Sequence, residues 1–186
     1  MDELLVAFCR TGTLGPVVLG VPPADVVERL GKPSSIKNGQ GDDCFQWYGY
    51  SSVELGMRCF AQNARIRRRA GHDLVLASIR IGLSGGEPLI FPEAIAREPI
   101  AAPPLQLVDA HRLLDDRGIE MTRDHDRVLK RTLKEASVRV VSDDDGFVKE
   151  MSAGWRPRPG GWFYSEENEA GDWVTGHPSR RNAGRT

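Results

Sequence analysis

CFQWYGYSSVELGMRCF, residues 44–60, consists of two runs of aromatic and apolar residues that the pair Ser51-Ser52 separates. Apolar and polar residues nearly alternate in both runs, which is typical of strands with one buried face. A third run of this kind, DLVLASIRI at residues 73–81, follows after a polar loop. Strands that follow one another in this way predict an antiparallel meander.

Three helices are expected around these strands. Met1–Arg10 is amphipathic, and Pro22–Leu30 begins with two prolines, which suit the first helical turn because they lack an N–H group. Gly31 and Pro33 then stop that helix. Leu105–Arg117 has apolar residues at helical spacing and ends before a glycine.

Further short strands complete the predicted secondary structure. They are Val17–Leu19, Ile119–Thr122, Leu129–Leu133, Ser137–Val141 and Phe147–Met151. Ser142–Gly146 reads SDDDG and predicts a hairpin turn, because Asp-Gly tolerates positive φ. The chain is therefore expected to be α+β, with helices packed on an antiparallel sheet.

The predicted elements divide the chain into four parts. Residues 1–87 form a helix-plus-sheet unit, 88–104 a Pro-rich linker, 105–156 a second helix-plus-sheet unit and 157–186 a tail rich in Gly, Pro and aromatic residues. Pro22-Pro23 and Pro103-Pro104 each open a helix that a glycine closes before strands follow, and this weak repeat leaves two arrangements open. The halves are either tandem units or one fused unit.

Composition narrows the class of protein. Of 186 residues, 40% are hydrophobic and 27% are charged, which is typical of a folded globular chain. A net charge of -1 provides no overall field for nucleic acid or an anionic membrane. Three cysteines without C-x-x-C spacing favour a reducing compartment, and no apolar run is long enough to span a membrane. We expect a cytoplasmic protein.

Catalytic and cofactor motifs are not found, so we expect a protein that is not an enzyme and that holds no cofactor or metal. Asp124, His125 and Asp126 could form an acid–base centre, but a solvated polar loop explains them more simply. The run Asp143–Gly146 lacks the alternating acidic residues of a calcium loop, and turn chemistry accounts for it. A hydrolase centred on Asp124, His125 and Asp126 stays open as an alternative.

The densest basic run is RIRRR, residues 65–69. Together with the nearby aromatics Trp47, Tyr48 and Tyr50, it could contact RNA phosphates and bases. The net charge disfavours that alternative, and an acidic protein partner could use the same arginines. The candidate partner-binding residues are Trp47, Tyr48, Tyr50, Arg65, Arg67, Arg68 and Arg69.

A family resemblance rests on LGVPPADVVERLGKP, residues 19–33, and on FQWYGY, residues 45–50. Together they are similar to the G-hydrophobic-x-x-x-E/D-V-x-x-x-L-G-x-P … W-Y signature of SmpA/OmlA lipoproteins and β-lactamase-inhibitor-protein-like folds. The chain also resembles small uncharacterised actinobacterial proteins, some of which accompany polymorphic toxins as immunity proteins. The resemblance covers roughly residues 14–81.

The resemblance implies helices against an antiparallel sheet that uses its open face or its loops to bind another protein. By the same resemblance, Trp47, Tyr48 and Tyr50 are interface candidates, although alternation turns about half of such residues into the core. The chain departs from the group in lacking a lipoprotein signal and a disulfide pair. We therefore expect a cytoplasmic, non-catalytic protein-binding module, such as an immunity protein that neutralises a toxin.

Overall fold

A computed structural model describes residues 1–39, 42–59, 74–83 and 85–155, together with the backbone of two strands at 164–167 and 173–176. Of residues 39, 42–44 and 59, only the backbone is described. The N-terminal helix α1 spans Asp2–Thr11, with two acids in its first turn. It ends where Gly12 adopts φ 68° and donates its N–H to the Phe8 carbonyl at 2.7 Å.

Helix α2 spans Pro23–Leu30, and helix α3 spans Leu107–Asp116. Gly31, at φ 79°, closes α2 by donating its N–H to the Val27 carbonyl at 2.8 Å. These helices confirm the sequence predictions to within two residues at each end. No helix in the part of the chain that the structure describes is both long and apolar enough to cross a bilayer.

Eight strands belong to one sheet. Their bounds are β1 Ser35–Gly39, β2 Asp42–Tyr50, β3 Val53–Cys59, β4 Leu74–Gly82, β5 Thr122–His125, β6 Val128–Thr132, β7 Ala136–Ser142 and β8 Val148–Trp155. The order across the sheet is β1-β2-β3-β4-β8-β7-β6-β5, and every neighbouring pair is antiparallel. Two four-stranded meanders therefore meet at the β4–β8 pair.

The core lies on one face of this sheet. Leu55, Ile79, Ala153 and Val138 form a continuous cross-strand row over the four central strands, and none of the four is exposed. The apolar faces of all three helices share this core through buried residues. These are Leu5, Val6, Phe8, Cys9, Val26, Leu30, Leu107, Ala110 and Leu114. Because side chains alternate along a strand, the residues between the core positions face the other side.

The structure confirms an α+β chain with an antiparallel sheet, but strands dominate it. Among the eight strands of the sheet is β1, Ser35–Gly39, which the sequence did not predict. Of the tail at 157–186, only the strands β9 (Tyr164–Glu167) and β10 (Trp173–Gly176) are described, and they pair with each other.

Two predicted strands are wrong. Val17–Leu19 is not a strand, because Val17 instead closes a tight turn with Leu14, with N–H to carbonyl distances of 3.0 and 3.2 Å. Ile119 lies in the turn after helix α3, where its N–H donates to the Leu114 carbonyl at 2.8 Å and its side chain is buried. The strand of this region, β5, begins only at Thr122.

The proline-rich segment between β4 and α3 packs into the same core. Leu89 and Ile100 form an isolated β-bridge, with N–H to carbonyl distances of 2.8 and 2.9 Å, and Leu89 and Phe91 are buried. Ser52, at the turn between β2 and β3, accepts the Ile90 N–H at 2.9 Å through its hydroxyl. The division of the chain at 87, 104 and 156 stays a prediction.

Candidate functional site

The face of the sheet opposite the core carries charged, small and aromatic side chains, and we call it the open face. Cross-strand pairing and direct contacts define its members. They are Ser35, Lys37, Phe45, Trp47, Gly49, Glu54, Gly56, Arg58, Val75, Ser78, Arg80, Thr122, Asp124, His125, Val128, Lys130, Thr132, Ser137, Arg139, Val141, Glu150, Ser152 and Gly154. The helices α1, α2 and α3 pack on the other face, so none of the helices that the structure describes covers this side of the sheet.

Trp47 is held on three sides. The Phe45 ring meets it edge-on, with ring centroids 4.9 Å apart and planes at 90°. Arg80 places its guanidinium carbon 5.0 Å from the centroid of the Trp47 ring. Beneath the ring, Gly56 has no side chain, and a Cβ there would lie 3.2 Å from Trp47 Cζ3. The indole is therefore positioned before any partner arrives.

Arg80 lies at the centre of a charged network. Its Nε is 3.3 Å from a Glu150 carboxylate oxygen, and its Nη1 is 3.9 Å from Glu54. These contacts fix the guanidinium over Trp47. Arg58 makes a second stacked pair, because its guanidinium carbon lies 5.0 Å from the Phe45 ring centroid. Two arginines and two aromatic rings thus form one cluster, the Trp47 cluster.

A second charged group lies toward the β5 edge. The Asp124 carboxylate is 3.6 Å from Lys130 Nζ and 3.6 Å from an Arg139 nitrogen. Burial lowers the pKa of the Arg139 guanidinium from its usual value, while the carboxylates of Asp124 and Glu150 oppose that shift. Asp124 therefore neutralises two half-buried cations, which gives it a structural role.

Positive charge is in excess on the described part of the open face. The cations are Lys37, Arg58, Arg80, Lys130 and Arg139, and the carboxylates are Glu54, Asp124 and Glu150. All three carboxylates already contact cations of the same face. Since the whole chain has a net charge of -1, this excess is local.

The structure separates the aromatic residues that the sequence singled out. Trp47 lies on the open face, whereas Tyr48 and Tyr50 point to the core side, where Tyr48 packs partly buried. Tyr50 is 5% exposed, and its hydroxyl donates to the Gly31 carbonyl at 2.9 Å. Burial, with a smaller contribution from Tyr48, raises the pKa of Tyr50 to about 12. Tyr50 is thus a core residue and no longer a candidate for direct contact with a partner.

The other residues that the sequence singled out are the four arginines of the basic run and the two residues that follow Asp124. Arg65, Arg67, Arg68 and Arg69 lie outside the described residues. His125 and Asp126 are exposed at the β5–β6 turn, beside the Asp124 contacts given above. Within the described ranges, no group of three or more His, Cys, Asp or Glu side chains is placed to hold a metal ion.

Three residues of the Trp47 cluster were missed from the sequence, namely Phe45, Arg58 and Arg80. Phe45 could have been found, because it is two positions before Trp47 in a strand and so shares its face. Arg58 could have been found as well, because the two-residue turn at Ser51-Ser52 sets it opposite Phe45 with no register shift. Arg80 could not, because a register shift between Gly56 and Met57 decides which residues of β4 lie opposite β3.

Comparisons with known proteins show a distant structural likeness and no match in sequence. No protein-family model and no curated protein matches the chain. Among solved structures, the chain is similar to YjgB, a DUF4309 family protein from Bacillus subtilis, with 12% identity and a TM-score of 0.44. The match covers 83% of this chain and 95% of that one.

Proposed function

We propose that the chain is a non-catalytic protein-binding module, which acts as an immunity protein and neutralises a partner toxin. The observation that carries the proposal is the Trp47 ring, held by Phe45 and Arg80 on the face of the sheet opposite the helices. Tryptophan and arginine are the residues most enriched at the energetic centres of protein interfaces. A ring that is already fixed loses little conformational entropy on binding, which favours affinity.

The charges of the open face indicate what the partner presents. Five cations against three carboxylates favour an acidic surface, and acidic residues of a partner would also raise the association rate. Next to this face, Ser51, Ser52, Glu54, Arg80 and Glu87 line a recess of about 280 Å³. A side chain of the partner could enter it beside the Trp47 cluster.

We further infer that two helix-plus-sheet units form the single sheet, and that the protein is cytoplasmic. The mirrored strand order about β4 and β8 supports two units, as does a double proline at the start of α2 and another shortly before α3. The unpaired thiol of Cys9, in a chain with three cysteines, supports a reducing compartment.

Co-expression tests the proposal. We expect the reading frame that neighbours this one to encode a protein that is toxic alone and harmless when this chain is present. The two purified proteins should form a complex of one copy each. Absence of rescue and of a complex, together with turnover of a substrate by the purified chain, would contradict the proposal.

The sequence analysis left two other functions as alternatives. Binding of RNA by Arg65–Arg69 and hydrolysis centred on Asp124, His125 and Asp126 both stay predictions. Nothing in the described residues favours either of them over a protein partner. Binding of RNA that weakens steeply with added salt would favour the first.

A further inference from the structure

Strand β1 is one edge of the eight-stranded sheet. It pairs with β2 on one side, and no strand of the described residues pairs with its other side. An edge of this kind presents unpaired backbone N–H and C=O groups along its length. The register from Ser35 to Asn38 is continuous, since the shift in β1 lies only between Asn38 and Gly39.

The opposite edge of the sheet is built differently. β5 reads TRDH, has charged side chains at Arg123 and Asp124, and contains a register shift between Arg123 and His125. Charges and irregularities of this type disfavour pairing of another strand with an edge, and β5 has two charges and the shift within four residues. β1 carries a single charge, at Lys37, and an apolar side chain, Ile36, that is 54% exposed. The two edges therefore differ in their readiness to accept a strand.

Strand β1 is also continuous with the Trp47 cluster. Lys37 is the cross-strand neighbour of Trp47 on the open face, and Ile36 is the neighbour of Tyr48 on the other face. A strand added to β1 would have its side chains alternately next to Lys37 and next to Ile36. A partner that covers Trp47 would therefore also contact β1, because Lys37 is directly next to Trp47.

We propose that the partner docks as an extended strand along β1 and lengthens the sheet to nine strands. The added strand presents a carboxylate beside Lys37 on the open face and an apolar side chain beside Ile36. Backbone hydrogen bonds to the edge supply affinity, and these two side-chain contacts supply specificity. This inference rests on the proposed function, because the occupant is the same protein partner.

Hydrogen exchange and two matched variants test the inference. The probe is the purified product of the neighbouring reading frame. On its addition, we expect the amides of residues 35–38 to exchange at least about tenfold more slowly, with no change in β5. Lys37→Glu should weaken binding about tenfold, because it places like charges opposite each other. Arg123→Glu, on the other edge, should leave the affinity unchanged.

The outcomes separate this inference from the proposed function. In one outcome, the probe binds and loses affinity for Trp47→Ala, while amide exchange at residues 35–38 and the affinity of Lys37→Glu are both unchanged. That result overturns the proposal of a strand added at β1, and the proposed function stands. If the probe does not bind, both are overturned. In another outcome, the amides of residues 35–38 are protected from exchange without the probe, in a sample that sediments as a dimer. In that case a second copy of this chain pairs with β1, and the proposal is again overturned.

Discussion

The guanidinium carbon of Arg80, in β4, lies 5.0 Å from the ring centroid of Trp47, in β2, although β3 runs between these two strands. The contact crosses β3 at Gly56, whose missing side chain leaves room for the ring. A Cβ at this position would also meet the Ser78 hydroxyl. Gly56 is therefore required for the shape of the open face.

Gly56→Ala should displace the Trp47 ring and weaken partner binding about tenfold, while the chain stays folded. The Ser78 hydroxyl can rotate away, so we expect the free energy of unfolding to fall by only about 1 kcal/mol. Near-ultraviolet circular dichroism reports the ring and urea unfolding reports stability. Gly82→Ala is the matched control, because a Cβ there meets no atom within 4 Å. An unchanged tryptophan signal in Gly56→Ala would contradict the account.

Ser51→Gly should stabilise the protein. Ser51 has φ 53°, in the left-handed region, within the two-residue turn between β2 and β3. Glycine adopts this conformation without the steric cost of a Cβ, so we expect a gain of about 0.5–1 kcal/mol, or a few degrees in Tm.

The neighbouring substitution Ser52→Gly should act in the opposite direction. The Ser52 hydroxyl accepts the Ile90 N–H at 2.9 Å, and its removal leaves that donor without this partner. We expect a loss of about 1 kcal/mol, measured by the same thermal unfolding. Equal effects of the two variants would show that flexibility of the turn, and not φ at Ser51, decides stability.

Asp143→Ala should destabilise the turn between β7 and β8. The carboxylate of Asp143 accepts the N–H groups of Asp145 and Phe147 at 3.0 and 2.9 Å. We expect a loss of about 1 kcal/mol by urea unfolding, against a smaller loss for the exposed control Asp145→Ala. Added calcium should not raise Tm, and a rise would contradict the assignment of this run to a turn.

Stability should fall at alkaline pH, and Cys9 should account for part of the fall. Burial raises the pKa of the Cys9 thiol from 9.0 to about 12, against a smaller opposing effect of Arg131. Only the unfolded chain ionises this thiol between these values, so its contribution is complete below pH 9.0 and is lost as the pH rises toward 12. The slope is at most about 1.4 kcal/mol per pH unit for one group.

Urea unfolding between about pH 8 and pH 11, under reducing conditions, measures this slope. Cys9→Ala should lose stability less steeply than the parent chain, because the pH-dependent group is gone. Tyr50, whose pKa is raised from 10.0 to about 12, contributes in the same direction in both proteins. Identical slopes for the two proteins would contradict the burial of an un-ionised thiol.

The sequence predicted elements whose ends are set locally. Pro22, Pro23 and Gly31 fix the ends of α2 through backbone geometry alone, and β2 and β3 follow from alternation. Strand β1 was missed because SIKNG contains one β-branched residue and depends on pairing with β2 for its conformation. Local signals therefore found the elements with clear end signals or clear alternation, and they missed β1, which has neither.

The candidate site depends on contacts that are distant in sequence. Alternation indicated that Trp47 and Tyr50 face opposite sides, but only the helices decide which side is covered. Arg80 joins Trp47 only after β4 pairs with β3 past the shift at Gly56. The sequence alone could therefore predict that Phe45 and Trp47 share one face and that Tyr48 and Tyr50 share the other, but not that Arg80 joins Trp47.

The central claim is that the open face around Trp47 binds a protein partner. The most direct test is the affinity of the chain for the neighbouring gene product, measured by calorimetry for Trp47→Ala and for Phe147→Ala. Phe147 is an exposed aromatic beside the start of α3, outside the open face. We predict a loss of about thirtyfold or more for Trp47→Ala and less than about threefold for Phe147→Ala. Equal affinities for the two variants would contradict the claim.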